Sequence, residues 1–203
     1  MATLVVNPTS GAANRLYYGG SESWAASRDS AVAEGIQTNG IVQGSFGGGT
    51  SWPIARIAEV FNTAALPDNA TVTAVTLQIY VTALTNTDTS TIDLVSFAPT
   101  DSSSVVVADY AKAKWGETPY ADIALASLNL NAYNIFTLNA TGIAAISKTG
   151  NSVFGLRISR DTDNSQPTGG NDVTFQTNNG VHPEILTITY TTPSGGAFLL
   201  NMI

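Results

Sequence analysis

The 203-residue sequence has only 11% charged residues, against roughly 25% in an ordinary soluble domain, and a formal net charge of −7. Binding to a phosphate backbone requires clustered Lys and Arg, and only eight such residues occur, so nucleic acid is not an expected partner. The chain contains no cysteine, which excludes disulfides and thiol chemistry. No apolar run approaches the roughly 20 residues of a membrane helix, so membrane insertion is not expected either.

The N-terminal quarter of the chain has little regular pattern. Residues 3–7 predict a short strand that stops at Pro8, and the first residues lack the basic and apolar regions of a signal peptide. Residues 9–52 are rich in glycine and predict long loops, with short strands around Tyr17-Tyr18, 31–33 and 41–42. A β-rich protein with so few charged residues is typical of proteins outside the cytoplasm or inside large assemblies, yet no signal peptide is recognised. A processed chain, a dedicated secretion route or a virion released by lysis would each reconcile these two observations.

Strand signals strengthen from Arg56 onward. Over 75–81 apolar residues occupy every second position, which is the period of a strand with one buried face. Strands are predicted at 56–61, 71–84, 91–97, 104–110, 134–138, 152–160, 173–176 and 185–190.

A single short helix is predicted near 140–148. Asn139 or Thr141 can cap its start, and Ile143 and Ile146 lie one turn apart. Many short strands with one helix predict an all-β protein with an antiparallel β-sandwich or jelly-roll fold.

Five short motifs follow one another between Arg56 and Tyr190. They are an arginine that opens a strand, a Leu-Pro stretch with alternating apolar residues, a tryptophan-containing connection, a Thr-Gly step from strand to helix, and a closing aromatic residue and Pro-to-Tyr strand. In this sequence they are Arg56; Leu66, Pro67, Ala70, Val72, Ala74 and Leu77; 114–119; 136–146; and Phe175 with 183–190. This order resembles the DNRLRE family of jelly-roll modules, which are related to carbohydrate-binding modules.

The resemblance covers about residues 53–190. It implies a jelly roll of the kind found in secreted and wall-attached proteins and in phage structural proteins. The sequence departs from the family at 176–178, where Gln-Thr-Asn replaces the usual Ser-Arg-Glu. Because one fold serves many functions, the resemblance does not by itself select one of them.

No arrangement of residues in the sequence indicates catalysis. His182 is the single histidine, and no Gly-x-Ser-x-Gly motif or set of His and Cys zinc ligands accompanies it. We interpret it as a loop residue before the last strand. Glu59 lies in a predicted strand, and most other acids lie in turns without the pairing that glycoside hydrolysis requires. We therefore predict a protein that is not an enzyme and needs no catalytic cofactor.

One loop carries side-chain oxygens that could bind calcium. Hard cations prefer oxygen ligands, and carbohydrate-binding jelly rolls often hold a structural calcium ion. The loop lacks the glutamate and spacing of an EF-hand, so a plain polar turn is the alternative. The candidate ligands are Asp161, Asp163, Asn164 and Asp172.

Aromatic residues of the N-terminal region offer a second binding hypothesis. The candidates for stacking on sugars are Tyr17, Tyr18, Trp24 and Trp52, since an exposed ring can pack against the apolar face of a sugar. The alternative is that these rings close the ends of the sandwich, because Trp and Tyr are buried on average. Trp115, at a family position, is expected in the core.

The C-terminal residues differ from the rest of the chain. We assign 1–192 to a single jelly-roll domain and 193–203 to a tail, in which 194–196 predicts a flexible glycine hinge. The apolar tail residues expected to dock on another subunit are Phe198, Leu199, Leu200, Met202 and Ile203.

Two functions agree with these features. The first is a structural protein of a virion, such as a phage decoration, fibre or tail component, that assembles with other virion subunits as a homo-oligomer. The second is a carbohydrate-binding module of a secreted or cell-surface protein. The first function places the protein in the virion, and the second places it outside the cell or on the cell surface. A virion protein that binds host glycans would combine the two functions.

Overall fold

The computed structural model describes residues 1–9, 14–20, 23–177 and 180–193. The predicted docking residues, from Phe198 to Ile203, lie outside these ranges. The strands are β1 Ala2–Val6, β2 Asn14–Tyr18, β3 Gly35–Gln37, β4 Gly40–Gly44, β5 Ile54–Asn62, β6 Thr71–Asn86, β7 Thr91–Ser96, β8 Ala121–Ala124, β9 Ala132–Thr137, β10 Asn151–Ile158, β11 Asn171–Gln176 and β12 Ile185–Thr191. The helices are α1 Trp24–Asp29, α2 Ala140–Ala144 and α3 Ser159–Thr162.

The strands form one curled antiparallel sheet with the order β1-β12-β6-β11-β4-β5-β10-β7-β8. In addition, β9 pairs with the second edge of β6, and β2 lies between β3 and β5. The half of the sheet around β6 packs on the half around β10, and both contribute side chains to one core. The predicted fold class, an all-β antiparallel β-sandwich or jelly roll, is confirmed.

The period-2 pattern around residue 75 places one face of β6 in the main core. Val75, Leu77, Ile79 and Val81 are buried, whereas the intervening side chains are partly exposed. The opposite half contributes Phe154, Leu156 and Ile158 of β10 and Ile57 and Phe61 of β5. Burial of a large apolar side chain contributes roughly 1.5–3 kcal/mol, so the packing of these side chains between the two halves stabilises the fold.

Strand β5 is buried on both faces. While Ile57 and Phe61 point into the main core, Ile54 and Ala58 belong to a second, smaller apolar cluster on the other side. Its remaining buried members are Leu16, Trp24, Ala33, Val95, Phe97, Tyr110 and Trp115. The N-terminal region and the connection from β7 to β8 therefore cover the outer face of β5.

The predicted helix near 140–148 exists but is shorter, at Ala140–Ala144. The Asn139 side chain caps it by accepting a hydrogen bond of 3.0 Å from the Gly142 main-chain nitrogen. The expectation of only one short helix was incomplete. Helix α1 forms where loops were predicted, with Ser23 as its cap, and α3 forms in the loop proposed for calcium.

Two predicted strands are absent from the described residues. Val107–Tyr110, within the predicted strand 104–110, is a 3-10 helix, and 31–33 has no regular structure. Asp109 explains the first difference, because its carboxylate accepts hydrogen bonds from the main-chain nitrogens of Thr100 and Val106 and closes the turn. No helix of the described residues is long and apolar enough to cross a membrane.

Candidate functional site

Three arginines and one aspartate form a buried cluster beneath the outer face of β5. Arg28, Arg56, Arg157 and Asp161 are each exposed by no more than 1%. Arg56 donates two hydrogen bonds of 2.8 Å to the Asp161 carboxylate, and Arg157 donates one of 2.7 Å. Burial alone raises the pKa of Asp161, but the charges of Arg56 and Arg157 outweigh this effect and hold the pKa well below its usual range.

Aromatic rings enclose the cluster on its outer side. The Arg56 guanidinium lies 4.2 Å from the ring centre of Tyr110 and 5.9 Å from that of Trp115. The Trp115 indole nitrogen donates to the Asp109 carbonyl at 2.7 Å. Trp115 also packs directly on Gly155 of β10, where a Cβ atom would lie 2.7 Å from the ring. The glycine thus makes room for the ring to reach the arginine.

Arg28 connects the buried cluster to the protein surface. Its Nε donates to the Asp161 carbonyl at 2.8 Å, and its two terminal nitrogens each lie 3.0 Å from a carboxylate oxygen, Asp29 Oδ1 and Glu117 Oε1. Those two carboxylates are 51% and 55% exposed. One buried aspartate cannot neutralise three buried arginines, and Asp29 and Glu117 supply two further negative charges at Arg28.

A lysine completes the surface end of this network. Lys112 Nζ lies 3.3 Å from Glu117 Oε1 and 4.0 Å from Asp29 Oδ1. Hydrogen bonds from Lys112 and then Arg28 lower the pKa of Glu117 below its ordinary value. Glu117 is therefore ionised at neutral pH and acts as a hydrogen-bond acceptor.

These groups surround a surface depression of about 700 Å³. Asp29 enters it from the end of α1, while Lys112, Trp115 and Glu117 come from the connection between β7 and β8. Three alanines supply apolar lining: Ala31, Ala111 and Ala113. A concave site with apolar lining and a few convergent polar groups is the usual form of a small-ligand site.

The depression presents both acceptors and a donor to a ligand. Within the described residues, the hydrogen bonds to Asp29 and Glu117 use Oδ1 and Oε1, which leaves Oδ2 and Oε2 available. An ionised carboxylate accepts from several donors at once, and a lysine ammonium has three donors. The arrangement therefore suits a neutral ligand with several hydroxyl groups.

The aromatic residues predicted to bind sugars lie beside the cluster. Trp24 is only 5% exposed, and its indole nitrogen donates to Asn164 Oδ1 at 3.2 Å. The partly exposed Trp52 packs edge-on against it, with 6.4 Å between the ring centres. Tyr18 stacks on the buried Tyr110 at 6.0 Å, and Tyr17 lies against Arg15. Trp24 has almost no free ring surface, and sugar stacking stays a prediction for the other three.

The proposed calcium site does not fit the structure. Both carboxylate oxygens of Asp161 accept hydrogen bonds from Arg56 or Arg157, and Asn164 Oδ1 is bound to Trp24. Asp172 lies on β11, between β4 and β6, while Asp163 is exposed at the end of α3. Among the described residues no three Asp, Glu or His side chains form a metal-binding group. The expectation was wrong because spacing along the chain did not show that Asp161 faces two arginines.

The sequence did not single out Asp29, Lys112 or Glu117. Glu117 lies within the tryptophan-containing connection 114–119 and Lys112 lies two positions before it, and this connection was the one available signal. His182 was correctly placed before the last strand, and its ring stacks on Tyr80 with 4.0 Å between the ring centres. Tyr133 packs edge-on against both rings.

Comparison with known proteins adds little to this description. No family model and no curated protein matches the sequence. One similar solved structure comes from work on the promiscuous specificity of carbohydrate-binding modules of the β-sandwich superfamily, with 14% identity and a TM-score of 0.30. The alignment covers 94% of this chain but 56% of that one. A likeness this distant supports no argument about function, which must come from the chain's own residues.

Proposed function

We propose that this chain is a non-catalytic β-sandwich module that binds a neutral carbohydrate in the depression between Asp29, Lys112 and Glu117. The observation that carries the proposal is the pair of half-exposed carboxylates fixed by Arg28 above an apolar lining. Each carboxylate can accept hydrogen bonds from sugar hydroxyls, and the alanine methyl groups can pack on sugar carbons.

The same geometry favours binding over hydrolysis. A glycosidase needs one carboxylic acid that is protonated before it donates its proton to the leaving group. The lowered pKa of Glu117 opposes that role, because Lys112 and Arg28 stabilise the carboxylate form.

A glycan array followed by calorimetry on the best ligand tests the proposal. We expect Asp29→Asn and Glu117→Gln to weaken binding about 10-fold or more, because a hydrogen bond to a charged group contributes roughly 1.5–3 kcal/mol. Asp122→Asn, at an exposed position of β8, is the matched control and should bind as the parent does.

Two results would contradict this site. One is the absence of saturable binding across a broad array. The other is loss of binding in Trp52→Ala with full binding in Glu117→Gln, which would move recognition to the aromatic residues predicted from the sequence.

We also propose assembly into a virion as a second function, on the observation of an apolar tail behind a glycine hinge. The tail residues would dock on a neighbouring copy or another virion subunit by strand addition or by filling a groove. Each large apolar side chain contributes roughly 1.5–3 kcal/mol when buried, before the cost of ordering the tail is subtracted. Deletion of 194–203 should abolish assemblies seen by light scattering while the circular dichroism of the domain is unchanged. Assemblies of unchanged size would refute the proposal.

A further inference from the structure

A second, smaller depression of about 280 Å³ adjoins the depression proposed to bind carbohydrate. Glu117 lines both of them. Its neighbours in the first depression include Asp29 and Lys112, and those in the second include Tyr120 and Thr141. The two depressions therefore share one residue whose side chain is 55% exposed.

Hydroxyl groups line the second depression. In the part of the chain that the structure describes, they make no hydrogen bond to a protein group, and they belong to Ser96, Thr118, Tyr120 and Thr141. A hydroxyl can donate one hydrogen bond and accept others, so it can pair with a sugar hydroxyl in either direction. The Tyr120 ring adds an apolar surface, and Glu117 is the one charged residue of this lining. The second depression therefore suits a neutral ligand that is rich in hydroxyl groups.

The buried arginine cluster holds the boundary between the two depressions. Arg28 donates to the Glu117 carboxylate at 3.0 Å, and Arg157 donates to the Gly116 carbonyl at 2.8 Å. The Gly116 main-chain nitrogen in turn donates to the Ser96 carbonyl at 2.8 Å. A Cβ atom at position 116 would overlap the Ser96 hydroxyl oxygen, so the glycine leaves that hydroxyl open to a ligand.

Helix α2 supplies another wall of the second depression and is fastened to the chain just before β8. Asn139 Nδ2 donates to the Pro119 carbonyl at 3.1 Å, and the Asn139 main-chain nitrogen donates to the Tyr120 carbonyl at 2.8 Å. A Cβ atom at Gly142 would lie 2.8 Å from that of Tyr120, so the helix packs closely on this segment. The depression is thus formed before a ligand arrives, which lowers the entropic cost of binding.

The volume of the second depression indicates that it is part of a longer site. Sites for whole small ligands measure roughly 300–1,000 Å³, and the first depression, at about 700 Å³, falls within this range. The second depression falls just below it. Because the two share Glu117, one ligand built from repeated units can fill both.

We propose that the two depressions are adjacent subsites for one neutral oligosaccharide, with Glu117 between two neighbouring sugar units. Binding in the second subsite rests on the carbohydrate function proposed above, and it sets the length of the ligand at two units or more. The first subsite uses the charged groups of Asp29, Lys112 and Glu117, whereas the second uses the hydroxyls of Thr118 and Thr141.

Isothermal titration calorimetry with sugars of different length tests the second subsite on the full chain. The probes are the neutral trisaccharide that binds best on the glycan array, with maltotriose, cellotriose and mannotriose included, and the monosaccharide from which it is built. We expect the trisaccharide to bind about 10-fold more tightly than the monosaccharide, or better, because it contacts both subsites.

Two threonine variants separate the subsites. Thr118→Val and Thr141→Val each remove one hydroxyl from an exposed side chain, and each should weaken trisaccharide binding about 3-fold through the loss of one neutral hydrogen bond. Monosaccharide binding should not change, because it uses the first subsite. Thr149→Val is the matched control, since it removes the hydroxyl of an exposed threonine that lines neither depression, and it should bind both probes as the parent does.

The results distinguish failure of the second subsite from failure of the carbohydrate function. Equal affinity for the two probes, or full trisaccharide binding in both Thr118→Val and Thr141→Val, overturns the second subsite. If Glu117→Gln still weakens binding in that case, the carbohydrate function stands. If no probe binds, both proposals are overturned.

Discussion

Arg56 and Asp161 are joined by two hydrogen bonds of 2.8 Å although 105 positions separate them in the chain. The pair ties the first part of β5 to α3, and neither side chain is accessible to solvent. Since Arg157 binds the same carboxylate, one aspartate organises two arginines.

Replacement of Asp161 by asparagine should therefore be severe. The change leaves two buried guanidinium groups without their shared counter-charge, and loss of one partner of a buried pair costs about 3–5 kcal/mol. Urea denaturation measures the free energy of unfolding. Asp163→Asn, two residues along and exposed, should stay within about 0.5 kcal/mol of the parent. Equal changes in the free energy of unfolding of the two variants would mean that the contacts of Asp161 with the arginines do not stabilise the fold.

Gly155→Ala should destabilise the protein by overpacking. The new methyl group would lie 2.7 Å from two carbons of the Trp115 ring, and insertion of a methyl group into a packed site costs about 1–3 kcal/mol. The matched control is Gly150→Ala, where the nearest atom is 3.9 Å away. Differential scanning calorimetry should show a lower Tm for the first variant only.

Removal of the helix cap should have a smaller effect. Asn139→Ala deletes the acceptor for the Gly142 main-chain nitrogen, and loss of such a cap costs about 1 kcal/mol. Asn139→Asp keeps an acceptor at the same place and should recover most of the stability. If alanine and aspartate are equally stable in chemical denaturation, the cap contributes nothing measurable.

Stability should fall as the pH rises from about 4.5 to 7. Burial, followed for Glu59 by the neighbouring carboxylate, raises the pKa of both core glutamates, that of Glu184 to about 7. The folded protein then holds protons that the unfolded chain releases near 4.5, so the stabilisation is complete below that pH and is lost as the pH rises through 7. The loss for Glu184 is on the order of 3 kcal/mol.

Other acids with shifted pKa values also change the free energy of unfolding, either over the same pH range or over a separate one. Asp93 and Asp172 also have raised pKa values through burial, whereas the lowered pKa of Asp161 affects stability only below its unfolded value near 4. Glu59→Gln should thus be more stable than the parent at pH 8 and flatten the dependence of stability on pH between pH 5 and 8. A parent protein whose stability rises over that interval would contradict the raised pKa values of the two glutamates.

The sequence was a good guide where local periodicity decides structure. Alternation from Val75 to Val81 correctly placed the core face of β6, and Asn139 correctly marked the start of a helix. It failed where partners come from distant strands. The oxygens at Asp161 and Asn164 have the spacing of metal ligands, but Arg56, Arg157 and Trp24 approach them from elsewhere in the fold.

The surface depression was hidden for the same reason. Asp29 ends a helix that the glycine-rich N-terminal sequence did not predict, and Glu117 lies 88 positions further along the chain. Only the folded position of Arg28 brings their carboxylates together. Glu59 was identified as a strand residue, yet alternation alone did not reveal that its partner in the core would be Glu184.

The hydrogen bonds of Arg28 restrain the acidic side chains at the rim of the depression. The Asp29 and Glu117 carboxylates at its rim each accept a hydrogen bond from one buried guanidinium, which is itself bound to the Asp161 carbonyl, so this shared contact restrains both. A ligand would meet groups already held in place and would lose little entropy in ordering them. Recognition by such a rim should discriminate between stereoisomers of a sugar more sharply than a pair of freely rotating surface acids could.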